Sequence, residues 1–139
     1  MTDLLHRIKI FVYRFQGEHP DYLLLRSVGR ESFWGPIQGP IGFGEKLESA
    51  IRREVMDDIG IRRPMDLIDL QMPARWLLGD EEVIEWAFGF RTPIETADLC
   101  LAPRWADFQW ADFSVAYPSL ELEPDRAAIM RLHTLLHAA

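Results

Sequence analysis

The stretch GPIGFGEKLESAIRREVMDDIGI, residues 39–61, decides how the rest of the chain is read. A glycine-rich loop runs into a segment with Leu47, Ile51, Val55 and Ile59 four residues apart, the apolar stripe of an amphipathic helix. Glu54, Asp57 and Asp58 lie toward its far end and, at about 100° per residue, span an arc of about 100°. Asp58 falls between Leu47 and Ile51 on the helical wheel, at the border of the buried stripe, where an unpaired charge is expensive. Carboxylates three and four residues apart also repel, by roughly 0.2–0.5 kcal/mol per pair. The negative end of the helix dipole adds to the penalty. A divalent cation turns all three penalties into attraction, since Mg²⁺ selects hard carboxylate oxygens. The competing reading is an ordinary solvated face, with Arg52, Arg62 and Arg63 nearby and Arg53 paired to Asp57 one turn on. The glycine loop ahead of the helix favours the cation.

The stretch resembles the signature of the Nudix hydrolases: a Gly, five residues, a Glu, seven residues, Arg-Glu, an apolar residue, any residue, two Glu, any residue, Gly and an apolar residue. Gly39, Glu45, Arg53, Glu54, Val55, Gly60 and Ile61 fall at the matching places, and Asp57 and Asp58 stand where two Glu are usual. The resemblance implies an α+β fold, the Nudix-type α/β/α sandwich with a mixed β-sheet between helices. It implies Mg²⁺ or Mn²⁺ held by acids on the helix, and cleavage of a nucleoside diphosphate linked to another group by water attack at phosphorus. Carried over by position, Glu54, Asp57 and Asp58 are the expected catalytic acids. Glu54 and Asp58 are expected to touch the metal directly, Asp57 to be a further or water-mediated ligand, and Gly39 to offer its carbonyl. Glu45 and Arg53 resemble the pair that fixes loop against helix, so with Gly60 they are expected to be structural. Asp reaches one methylene less far than Glu, so both substitutions draw the metal closer or leave a water in between. Gln38 departs as well, standing where a second glycine often sits. Phosphoryl transfer needs positioning and charge neutralisation more than covalent chemistry, which suits such a residue set.

At 139 residues the chain suits one domain, taken as 1–139, with a core of ordinary size. Hydrophobic residues at 48% and aromatics at 12% argue against disorder. No apolar run approaches the roughly 20 residues of a membrane span, and no N-terminal secretory pattern is present. Cys100 is the single cysteine, so no internal disulfide forms, which is compatible with a reducing cytosol; it reads as a small core residue. A cytoplasmic protein with no membrane partner is expected. The net charge of −7 discourages general nucleic-acid binding. An acidic enzyme acting on polyphosphates instead needs cations to bring its substrate in.

Along the chain, residues 7–15 read as a buried strand and 22–26 as a second, with a turn between them. Residues 27–32 form a polar loop. Trp34, just before the glycines, is a packing residue or a platform for a base. Arg26 and Arg30 meet phosphates or stay solvated. Pro64 stops the central helix. Residues 66–78 read as extended with an irregularity at Pro73, and Gly79-Asp80 as a turn into a strand over 82–91. There Ile84, Trp86, Phe88 and Phe90 share the core face, and Glu85 sits on the other with small residues, reading as a surface glutamate. Residues 92–103 form a loop, 108–110 a short strand, and Pro124 opens a last helix with Ala128, Ile129, Leu132, Leu135 and Leu136 inward. His133 and His137, four apart on that helix, read as surface histidines.

More loosely, 33–45, the Trp86 strand, Gln109-Trp110 and the closing helix resemble the Nudix branch of dihydroneopterin triphosphate and dATP pyrophosphatases. That branch favours a Glu shortly before the last strand as base, where this chain has Arg104. The base then comes from Glu54, Asp57, Asp58, Glu85 or Asp107, and Arg104 joins Arg26 and Trp34 as an expected substrate contact. The expected function is a Nudix pyrophosphohydrolase acting on a nucleoside triphosphate or similar small phosphorylated molecule. The alternative is a catalytically weakened domain of the same fold that binds a nucleotide or a protein. Homodimers are common among such relatives, and no stretch here identifies an interface.

Overall fold

A computed structural model describes residues 4–29, 33–93 and 99–137. Its spine is β1 (Leu4–Gln16), buried on both faces: Ile8, Ile10 and Val12 join one core, and Phe11 and Tyr13 the other. Two-sided burial is why residues 7–15 do not alternate, as in any strand covered by a layer on each side. β1 pairs antiparallel with β2 (His19–Ser27) and with β4 (Ile37–Pro40), and parallel with β7 (Glu81–Arg91). β3 (Trp34–Gly35) and β8 (Trp105–Asp112) add to β2, and β5 (Asp66–Asp69) and β6 (Ala74–Leu78) add to β7. The result is one mixed sheet.

Helix α1 (Leu47–Ile59) covers one face through Ala50, Ile51, Val55 and Ile59. Helices α2 (Phe113–Ser119) and α3 (Glu123–His137) cover the other through Ala116, Ala128, Ile129 and Leu132. This is an α/β/α sandwich, as the signature implied. Each large side chain fully buried in either core contributes about 1.5–3 kcal/mol. Gly89 of β7 shows how tightly α3 is seated, because a Cβ there would come within 2.6 Å of Leu132 Cδ1.

The hairpin at Gly79-Asp80 forms with register Leu78↔Glu81, and Gly79 takes the left-handed φ of 64° that a tight turn demands. Several expectations change. The extended 66–78 stretch breaks into β5 and β6 where Gln71 adopts φ 53°, held by its N–H donating to the Asp69 carboxylate at 2.8 Å. Leu47 is exposed, so the buried stripe begins at Ala50 and Ile51. Cys100 is exposed too, lying against Gly60 rather than in the core. Glu85 is buried, because a lysine from β1 meets it on the sheet face that the sequence left to solvent. His133 is half-buried: it stacks on Phe113 and lies 2.7 Å from the Tyr22 hydroxyl, and burial beside His137 lowers its pKa. Arg30 lies outside the described residues. No described helix is long and apolar enough to cross a membrane.

Candidate active site

The loop between β4 and α1 is fixed before any acid is placed. Arg53 Nε donates to Glu45 Oε2 and Arg53 Nη2 to Glu45 Oε1, both at 2.9 Å, in the bidentate geometry that makes arginine–carboxylate pairs specific. The same Nη2 reaches the Pro40 carbonyl at 2.9 Å, and the Gly42 N–H donates to Glu45 Oε1. These contacts, with the Arg53 hydrogen bond foremost, hold the Glu45 carboxyl down to about 2 and raise the Arg53 guanidinium further. The lock expected between Glu45 and Arg53 is present, and Arg53 does not turn to Asp57. At the far end of α1, Gly60 takes φ 78° and its N–H donates to the Met56 carbonyl, ending the helix as a left-handed cap.

Glu54 and Asp58 project one turn apart from the buried side of α1, only 7% and 4% exposed. Arg53 Nη1 donates to Glu54 Oε1 at 2.9 Å. Gly39, one strand over, leaves space for the Glu54 carboxylate: a Cβ at residue 39 would overlap it. Glycine is required here for close approach, not for an unusual backbone angle.

Arg104, in the loop before β8, closes this pair. Its Nε donates to Asp58 Oδ1 at 3.2 Å, and its Nη2 contacts Asp58 Oδ2, lies 3.6 Å from Glu54 Oε2 and donates to the Gln38 carbonyl at 3.0 Å. Two buried carboxylates and a main-chain carbonyl thus converge on one cationic group. Asp57 stands apart, exposed on α1. Among the described residues no three histidine, cysteine, aspartate or glutamate side chains gather around a common point. The donor set nevertheless fits Mg²⁺ or Mn²⁺ in kind, because such ions take one or two carboxylates and complete their shell with water and substrate phosphates.

Arg104 also opens onto a cleft of about 250 Å³ that holds Trp34, Phe33, Trp105, Gln38 and Asp125. Arg26 faces Trp34 in the β2–β3 register, with its guanidinium 5.2 Å from the indole centroid, and also lies 3.6 Å from Asp107. Trp34 and Arg104 therefore share one cleft, and Arg26 backs the tryptophan from outside. Behind the cleft lies a buried ionic cluster that sequence reasoning missed. Lys9 Nζ sits 2.7 Å from Asp125 Oδ1 and 3.3 Å from Glu85 Oε1, and Gln38 donates to Glu85 Oε2 at 3.2 Å. The available signal was Lys9 itself, a charge inside the apolar run of β1. Glu85 is committed to this cluster, and Asp107 is exposed beside Arg26.

No family model matches the chain. Solved structures of this fold do. The chain superposes on the dihydroneopterin triphosphate pyrophosphohydrolase of Escherichia coli with a TM-score of 0.76 and 20% identity, over 91% of this chain and 92% of that one. It superposes on a protein assigned as a Nudix hydrolase from Listeria monocytogenes with a TM-score of 0.82 and 14% identity, over 94% and 93%. The fold is that of the Nudix hydrolases. A curated sequence relative, an octanoyltransferase of Myxococcus xanthus, is 28% identical over 132 residues, which are 91% of this chain and 36% of that protein. The chain thus spans about a third of the length of the curated relative it matches.

Proposed function

We propose that this domain hydrolyses a phosphoanhydride bond in a nucleoside triphosphate or a similar nucleoside-diphosphate-linked small molecule, in a reaction that depends on Mg²⁺ or Mn²⁺. The observation that carries this reading is the pair of buried acids Glu54 and Asp58, one helical turn apart on α1, behind a loop held by the Glu45–Arg53 lock. The E. coli neighbour named above is a pyrophosphohydrolase of a small organic triphosphate, which supports a phosphoanhydride as the bond cleaved.

Glu54 and Asp58 would hold the ion, with Asp57 reaching it through water and Gly39 permitting the close approach of Glu54. Once bound, the ion supplies charge neutralisation on the phosphate oxygens and a more acidic attacking water. The remaining roles belong to the chain. Trp34 offers a flat face for the base, Arg26 backs that indole, and Arg104 lies where it can meet a phosphate oxygen as the substrate enters the cleft. Of the acids weighed as general base, Glu54 and Asp58 lie beside the cleft residue Arg104, and Glu85 is already engaged by Lys9.

A second reading is favoured by one observation, the contact of Arg104 with both acids. In it, the arginine permanently neutralises the site, and the domain binds a nucleotide or a protein without turnover. Incubation with a nucleotide panel and Mg²⁺ or Mn²⁺, with release of pyrophosphate and phosphate measured, separates the two. Turnover supports the hydrolase, whereas tight nucleotide binding with no release from any panel member supports the binding domain.

A further inference from the structure

We propose that Arg104 is the resting counter-ion of the Glu54–Asp58 pair and competes with a divalent cation for it, an inference that rests on the metal-dependent reading above. Arg104 engages both of the carboxylates proposed to hold the ion, and is fixed there by the Gln38 carbonyl. Guanidinium and metal therefore exclude one another.

Arg104 brings one positive charge to two buried carboxylates, whereas a divalent ion would bring two. The placement of the partners decides which one yields. Glu54 and Asp58 are set on a helix with side chains 9% and 5% exposed, whereas the Arg104 side chain is 47% exposed on a loop. Its other neighbour is the Trp105 ring, 4.7 Å from the guanidinium carbon, at the cleft mouth. Released from the acids, Arg104 remains beside that cleft, where a planar guanidinium suits a phosphate. Without metal the arginine keeps the buried Asp58 from standing unpaired and shares Glu54 with Arg53, and with metal it becomes available to the substrate.

The test is Mn²⁺ binding, followed by the loss of the free-ion electron paramagnetic resonance signal and needing no substrate. Wild type, R104A, R104Q, R104K and the double variant R104A/D58N are compared, with thermal melts to confirm folding. Removal of a competing charged hydrogen-bond partner should tighten Mn²⁺ binding about tenfold or more in R104A and R104Q. R104K should fall between these and wild type, because one ammonium cannot bridge both acids. R104A/D58N should lose the gain. Equal or weaker binding in R104A and R104Q than in wild type overturns the proposal, as does absence of binding in all of them. Hydrolysis is scored separately: tighter Mn²⁺ binding in R104A, with wild type binding a nucleotide tightly but releasing no product from any, would keep this inference and favour the binding domain over the hydrolase.

Discussion

The guanidinium of Arg104 bridges the carboxylate of Asp58 across 46 positions of sequence, joining the loop before the last strand to the central helix. A residue type suited to phosphate recognition is thereby tied to an acid of a type suited to metal.

The Glu45–Arg53 lock predicts an acid dependence of stability. Arg53, then the Gly42 N–H, lowers the Glu45 pKa from 4.5 to about 2. A carboxylate depressed in the folded state contributes stability that is fully present above its unfolded value and is lost as pH falls toward its folded one. Wild type should therefore exceed E45Q in stability above pH 4.5, and the gap should close progressively toward pH 2. Urea melts at intervals across that window check it, and a gap independent of pH would refute the role given to Glu45.

The buried Lys9 holds two acids, Asp125 and Glu85, that have lost their water. Lys9→Met leaves both without their principal cation, and breaking such a pair typically costs about 3–5 kcal/mol. Chemical denaturation should show a loss of that order, and K9M combined with D125N should recover part of it. A loss below about 1 kcal/mol would mean that the cluster is incidental to stability.

Gly39→Ala places a methyl group where the Glu54 carboxylate now lies. The protein should fold with a loss of about 1–3 kcal/mol, as for other overpacked sites. Displacement of Glu54 should weaken Mn²⁺ binding more than it lowers the melting temperature would suggest. Unchanged ion binding in folded G39A would show that the close approach serves packing alone.

What was legible in the sequence was what local spacing encodes. The helix over Leu47–Ile59 follows from its apolar stripe and the hairpin at Gly79 from turn chemistry, whereas the Glu45–Arg53 lock follows only from the resemblance to a known signature, and the helix ends at the Gly60 cap before Pro64 is reached. What was not legible depends on distant partners. Glu85 looked like a surface residue because Lys9 and Asp125, which bury it, come from the opposite ends of the chain. The short helix Phe113–Ser119 escaped notice because Pro118 lies inside it, although the Asp112 carboxylate accepts from Val115 N–H as an N-cap. A shared arc of about 100° on the helical wheel suggested one acid set of Glu54, Asp57 and Asp58. Burial of only two of them, set by where the sheet lies under the helix, divides it.

The central claim, that Glu54 and Asp58 exist to turn over a phosphorylated substrate, is tested most directly by pyrophosphate and phosphate release from a nucleotide panel with Mg²⁺ or Mn²⁺. Wild type should turn over at least one member, and E54Q and D58N, verified as folded, should each lose about 10²-fold or more, as when a group serving the transition state is removed. Undiminished release by both variants would contradict the account.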